Sequence, residues 1–295
     1  MIVDMFEVFK YYPYIFYIVI AIFSLMIGSF LNVVIYRLPK MLEQGWSRDC
    51  RLYLASESEE QELEQAIAKE VKLTLSKPDS TCPSCQHKIR FYENIPIISW
   101  LFLGRKCSQC QLPISMRYPM VEGLTALVSV VVAWHYGVTW NTLFVLILTW
   151  SVICLFFIDY DHMLLPDEIV LPLIWLGLLV NVNGGIVSLD SAVIGAVAGY
   201  GSLYCLMGLY KVITGREGMG NGDFKLVAMF GAWFGWTLLP ILIFLSSLAL
   251  TITGITLMLF KGWQKEKEIP FGPYLIPSGL VTLLWGENIW FWYLG

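Results

Sequence analysis

Two sets of residues in this chain of 295 have the types and spacing to do chemistry. The first is a pair of aspartates. A glycine-rich run, Gly218-Met219-Gly220-Asn221-Gly222, delivers Asp223 to the mouth of an apolar segment, and Asp159 closes another apolar segment, Phe156-Phe157-Ile158-Asp159. A carboxylate at the edge of a membrane is costly and reads as functional, provided that it has a partner. Two carboxylates that meet share a proton: one takes a proton from water while the other gives one to a carbonyl oxygen, which is the chemistry of an aspartic peptidase. Asp161 and Asp167 lie close enough in sequence to rival Asp159, although Asp167 follows Pro166 at the start of an apolar segment and reads as a helix N-cap. The plainer alternative for Asp159 and Asp223 is a pair of helix-end residues, with Asp223 capping its helix or pairing with Lys225. Serine and zinc peptidase chemistry lack their parts: there is no Gly-x-Ser-x-Gly or His-Glu-x-x-His, and His87, His135 and His162 are scattered.

The second set is four cysteines, Cys82-Pro83-Ser84-Cys85 and Cys107-Ser108-Gln109-Cys110, with 21 residues between the knuckles. That pattern fits a closed, structural tetrathiolate zinc ribbon; two disulfides are the alternative and need an oxidising compartment. Cys50, Cys154 and Cys205 are left over, and the last two lie in apolar runs as small packing residues.

The elements that must position these groups are membrane helices. The chain is 57% hydrophobic and 14% charged, with mean hydropathy +0.65, and has several runs long enough to cross a bilayer. It reads as an all-α polytopic membrane protein with about eight spans: Tyr11 to Ile35, Pro119 to Val138, Trp140 to Ile158, Ile169 to Val182, Ser191 to Val212, Leu226 to Trp236, Thr237 to Phe260 and Pro273 to Leu294. The expected organisation is a first transmembrane helix over 1–36, stopped by Arg37 and Pro39, a four-cysteine domain over 37–117, and a seven-helix membrane domain over 118–295. The acidic start of the chain and the lack of an Ala-x-Ala site argue against a cleaved signal peptide.

Charge gives the orientation. The segment from Arg37 to Arg117 holds 12 of the 19 lysines and arginines, which places it in the cytoplasm. Alternation through eight spans then puts Lys211 to Lys225 and Lys261 to Glu268 on the same side, so the remaining bases except Lys10 also fall inside. The spans after Asp159 and Asp223 are short, and short segments at membrane depth mark wet cavities. Both carboxylates are expected to open into a water-filled recess facing the cytoplasm. Between Glu57 and Glu70, acidic residues alternate with Leu63, Ala66 and Ile67 in the pattern of a solvated amphipathic helix. Nothing in the sequence points to nucleic acid.

These residues resemble a known family, the bifunctional prepilin leader peptidases with N-methyltransferase activity that serve type IV pili and type II secretion. The resemblance runs from about Gly28 to Gly279. It rests on Gly28-Ser29-Phe30-Leu31-Asn32-Val33-Val34-Ile35-Tyr36-Arg37-Leu38-Pro39, the two cysteine knuckles enclosing Tyr92-Glu93-Asn94-Ile95-Pro96, Pro113 to Pro119, Ile158-Asp159 with Leu165-Pro166-Asp167, the glycine-rich Asp223 motif with Lys225, and Pro270-Phe271-Gly272-Pro273-Tyr274. It implies that Asp159 and Asp223 are the catalytic pair, and that Cys82, Cys85, Cys107 and Cys110 form a cytoplasmic zinc-binding part. It also implies prepilin or pseudopilin substrates, S-adenosylmethionine as methyl donor, and the inner membrane as the location. Two other readings use the same residues: a transporter or ion pathway whose aspartates bind protons or cations, and an assembly factor whose cysteine loop recruits a partner.

Overall fold

The computed structural model describes residues 2–55, 67, 73–216, 218–261 and 269–294. The helices are α1 (Ile2–Tyr11), α2 (Pro13–Leu54), α3 (Ile98–Phe102), α4 (Arg117–Tyr136), α5 (Trp140–His162), α6 (Asp167–Asn181), α7 (Leu189–Thr214), α8 (Asn221–Phe234), α9 (Leu239–Lys261) and α10 (Gly272–Leu294). Among the described residues there is no β-strand, only the isolated bridges Thr81 to Lys88 and Lys106 to Pro113. The Glu57 to Glu70 helix lies outside the described residues, apart from Ile67. Each expected apolar segment coincides with one of these helices, but the number eight does not carry over to spans. Among the described residues, five helices are long and apolar enough to cross a membrane: α2, α4, α5, α7 and α9. Helices α6 and α8 have 15 and 14 residues. At about 1.5 Å per residue α8 is about 21 Å long, against about 30 Å of hydrocarbon.

The first helix does not stop at Arg37 and Pro39 but runs on to Leu54. The reason lies in where the charge goes. Arg37 is buried, and its guanidinium donates to the carbonyls of Thr74 (3.0 Å), Leu75 (3.3 Å) and Pro78 (2.7 Å), so the chain that returns toward α2 satisfies it.

The chain divides into two compact units, one of Val19–Leu127 and one of Met1–Ile18 with Val128–Gly295. The second is built around α8. Every residue of α8 from Asp223 to Phe234 is buried except Lys225, and a helix that is apolar all round belongs inside a bundle. Glycines let its neighbours approach: a Cβ on Gly231 would strike the Gly195 carbonyl of α7, one on Gly199 would lie 2.9 Å from the Val227 carbonyl, and one on Gly279 of α10 would enter the Phe230 ring. Small residues at such crossings are what membrane helices use in place of a hydrophobic driving force. From α6, Gly177 makes room for Trp233, whose indole N–H donates to the Leu173 carbonyl (3.0 Å). Asn181 donates to the carbonyls of Ala232 (3.0 Å) and Trp233 (3.2 Å) and accepts from the N–H groups of Ile186 and Val187, closing the last turn of α8.

This packing makes two glycines in α7 and α8 unequal. Gly231→Ala forces overpacking at the helix crossing and should destabilise by roughly 1–3 kcal/mol. Gly201 of α7 faces open space. Gly201→Ala should be neutral or stabilising by up to about 1 kcal/mol. Thermal unfolding in detergent checks the pair, and equal shifts would contradict the packing.

Candidate active site and cysteine cluster

Asp159 sits in the last turn of α5. That helix begins at Thr139, whose hydroxyl accepts from the Thr142 N–H, and ends at Met163, whose left-handed backbone (φ 52°) lets its N–H reach the Asp159 carbonyl. Three residues later Pro166 stands at the N-cap of α6, with Asp167 first in that helix. The N-cap reading of Asp167 is therefore off by one position, and its carboxylate has another use.

Asp223 is the third residue of α8, not a residue ahead of it. Gly220 occupies the N-cap without a side-chain hydrogen bond, and the Asp223 N–H donates to the Gly220 carbonyl (3.2 Å). The capping alternative for Asp223 is thus set aside, and so is its pairing with Lys225. Lys225 Nζ instead donates to both oxygens of Asp167, each at 2.7 Å. This bridge ties the first turn of α6, just past the Asp159 turn, to the first turns of α8. Gly222 adds to the fit, since a Cβ there would lie 3.1 Å from Leu165 Cβ.

Asp159 and Asp223 come together, near enough for the charge of one to act on the other. They are 5% and 9% exposed, so the expected open recess is not met at the carboxylates themselves. Gly272 lies directly against Asp159, and Asp223 begins the buried stretch of α8. Asp159 Oδ2 makes no hydrogen bond among the described residues, while the backbone N–H of Gly272 faces the same carboxyl group. Any side chain at position 272 would run into Oδ2. Gly272 is thus part of the site, and so is the Asp167–Lys225 bridge; sequence reasoning assigned neither. A base within two turns of a helix N-terminus runs against the helix dipole, and that mismatch was the available signal that Lys225 answers to an acid elsewhere. Two carboxylates that share an enclosed site are the arrangement in which acid and base roles on one water can be divided. Asp161 is exposed and is not one of the pair.

In the other unit, the four cysteines converge until their sulfurs all lie within 4.8 Å of one another. Cys82 to Cys110 is 3.7 Å and Cys85 to Cys107 is 3.9 Å. A tetrahedral ion with bonds of about 2.3 Å spaces its thiolates about 3.8 Å apart, so the donor set fits a metal, and the sulfurs are too far apart for disulfides of about 2.05 Å. The two knuckles repeat each other: Cys82 N–H donates to the His87 carbonyl and Cys107 N–H to the Leu112 carbonyl, both at 2.9 Å. Gln86 and Gln111 each turn through φ 58°. The N–H groups of Cys85 and Ser84 pull the Cys82 thiol down to about 6, and those of Cys110 and Gln109 pull Cys107 down in the same way. Two thiolates favoured by backbone donors suit a cation, while burial and the neighbouring thiols push Cys85 up to about 11.

The bridge between Asp167 and Lys225 is partly exposed, at 49% and 30%, so its contribution to stability is about 0.5–1 kcal/mol. Lys225→Met and Asp167→Asn should each destabilise slightly, and the double substitution should cost less than the sum of the two. Denaturation of the four proteins of this cycle measures the coupling, and additive effects would contradict the bridge.

Comparison with known proteins gives the family of the chain. The profile of the bacterial peptidase A24 N-terminal domain matches residues 22–136, and that of the type IV leader peptidase family matches residues 146–255. A protein of Aeromonas salmonicida named prepilin leader peptidase/N-methyltransferase is 52% identical over 96% of this chain and 95% of its own length. Proteins with the same name from Pseudomonas aeruginosa (94% and 93% covered) and Neisseria gonorrhoeae (92% and 91%) are 49% and 48% identical. No solved structure gives a significant match. By two family profiles that between them take in most of its length, and by relatives similar from end to end, the chain belongs to the type IV leader peptidase family.

Proposed function

We propose that this chain removes the short basic leader from type IV prepilin-like substrates at the cytoplasmic edge of the inner membrane, and then methylates the new N-terminus with S-adenosylmethionine. The observation that carries the reading is the meeting of Asp159 and Asp223, two buried carboxylates from different helices, in a chain of this family. The ionised member of the pair takes a proton from water, and the water oxygen adds to the scissile carbonyl carbon. The protonated member gives its proton to the carbonyl oxygen. When the tetrahedral adduct collapses, the C–N bond breaks and the leaving nitrogen takes up a proton, which leaves a carboxylate on the leader and an amine on the mature protein. Asp159 Oδ2, with no other hydrogen-bond partner among the described residues, is free to hold the water or the carbonyl. Gly272 keeps that approach clear and presents a backbone donor. The Lys225 bridge fixes the first turns of α8 and with them the direction of Asp223.

The four-cysteine segment, within the 37–117 domain, holds a structural zinc through Cys82, Cys85, Cys107 and Cys110 on the cytoplasmic side. Zinc there cross-links two knuckles that share little apolar core. A transporter built on the same aspartates has no support among the relatives.

Asp159→Asn and Asp223→Asn should each lower leader removal by at least about 10²–10⁴-fold while the protein stays inserted and folded. Mass measurement on a peptide carrying a leader and its following helix reads this directly; full activity in either variant would overturn the assignment. Protein purified without chelator should carry about one zinc per chain, and Cys82→Ser should lose it together with protease resistance of the loop. Metal-free protein with disulfides at these positions would contradict both the zinc and the cytoplasmic placement.

A further inference from the structure

Between the two cysteine knuckles the chain carries a short apolar stretch that the described residues of its unit leave uncovered. From Phe91 to Phe102 it forms a 3-10 turn and α3, with Phe91, Ile95, Ile98, Leu101 and Phe102 exposed, the two phenylalanines at 88% each. Large apolar side chains gathered on a surface in this way mark an interaction site. The stretch is one piece, since Ser99 Oγ donates to the Tyr92 carbonyl (2.6 Å) and accepts from the Ile95 N–H (3.0 Å).

Its level is set by α4. The Ile97 N–H donates to Glu122 Oε2 (2.8 Å), which holds Ile97 at φ 58°, a costly conformation for a β-branched residue. The Trp100 indole N–H donates to the Ile114 carbonyl (3.2 Å), and the Ile114 N–H donates to the Arg105 carbonyl (2.7 Å), just ahead of α4. Glu122 is buried against α2: the Ser29 hydroxyl bonds to it, and a Cβ on Gly28 would lie 2.7 Å from its Cα. Helix α4 has 20 residues and is about 30 Å long, the thickness of the hydrocarbon layer. Glu122 is its sixth residue, about 8 Å along the axis from Arg117. A segment bonded there stands where headgroups meet hydrocarbon.

Charge agrees with that level. From Lys88 to Arg117 five bases stand against one acid, Glu93. The acid is turned inward, with its side chain 9% exposed and 3.2 Å from His87 Nε2. Arg105 and Lys106 follow the apolar stretch and are exposed, and the Arg105 guanidinium lies over the Trp100 ring, 4.8 Å from its centroid. Aromatic and apolar side chains flanked by cations suit an anionic bilayer surface. The same positive charge disfavours a basic peptide as the occupant.

We propose that the stretch from Phe91 to Phe102 is an interfacial membrane anchor. Its apolar side chains enter the leaflet at that end of α4, and Arg105 and Lys106 lie on anionic lipid headgroups. The second knuckle begins directly after it at Cys107, so the anchor holds the cysteine cluster close to the bilayer surface.

A photoactivatable benzophenone side chain at position 102 of the full chain, in vesicles of phosphatidylglycerol and phosphatidylcholine, tests the anchor. Mass spectrometry should find lipid adducts about tenfold more often than with the same probe at position 53. Tyr53 is exposed in the last turn of α2, a helix of 42 residues and about 63 Å that outruns the hydrocarbon. Hydrogen exchange on the chain without the probe gives a second reading. The amides of Ser99 to Leu103 should exchange about threefold more slowly in phosphatidylglycerol vesicles than in phosphatidylcholine alone, and Arg105→Gln with Lys106→Gln should remove the difference. Adducts joining two copies of the chain, or lipid adducts no more frequent than at position 53, would overturn the anchor. Equal exchange in the two lipids would overturn the headgroup contact.

Discussion

The structure of the helical unit depends on keeping two carboxylates together and out of bulk water. Each alone would be expensive at the edge of a bilayer, and together they repel unless a proton lies between them. The surrounding structure therefore has to hold them in place against that repulsion. It does so through α8, whose buried length is clasped by α6, α7 and α10 at glycine crossings and whose last turn is closed by Asn181. A clasped helix cannot slide or rotate to carry Asp223 away from Asp159.

The four-cysteine unit solves a different problem. Among its described residues it has no sheet apart from isolated bridges, and from Leu73 to α4 its described helices are a 3-10 turn at Phe91–Asn94 and α3. Its order comes from polar devices: the repeated knuckles, Arg37 gathering three carbonyls, Glu93 bonding across from Arg90 to His87, and buried Glu122 holding the Ile97 turn. A metal ion held by the cysteine cluster would join these devices into one body.

Much of this was legible before any coordinates. The glycine-rich approach to Asp223, the apolar run ending at Asp159 and the spacing of the four cysteines each carry a local physical meaning, and in the structure the four sulfurs lie within 4.8 Å of one another. What could not be read was anything set by packing between distant segments. The pairing of Lys225 with Asp167 instead of Asp223 depends on where α6 starts relative to α8. Helix α2 passes Arg37 and Pro39 because carbonyls some 40 residues further on accept from the guanidinium. The enclosure of the aspartates is set by helices packed from elsewhere in the chain. Span counting from hydropathy likewise could not tell a helix that crosses the bilayer from a short one buried among others.

The central claim is that two carboxylates, one protonated and one ionised, share the work on a single water. The most direct measurement is kcat/KM for leader removal by the wild-type protein from about pH 4 to about pH 9, followed by mass spectrometry. The account predicts a bell-shaped profile, with activity lost at low pH when both carboxyls are protonated and lost at high pH when both are ionised. A rate that holds its plateau across that whole range would contradict it.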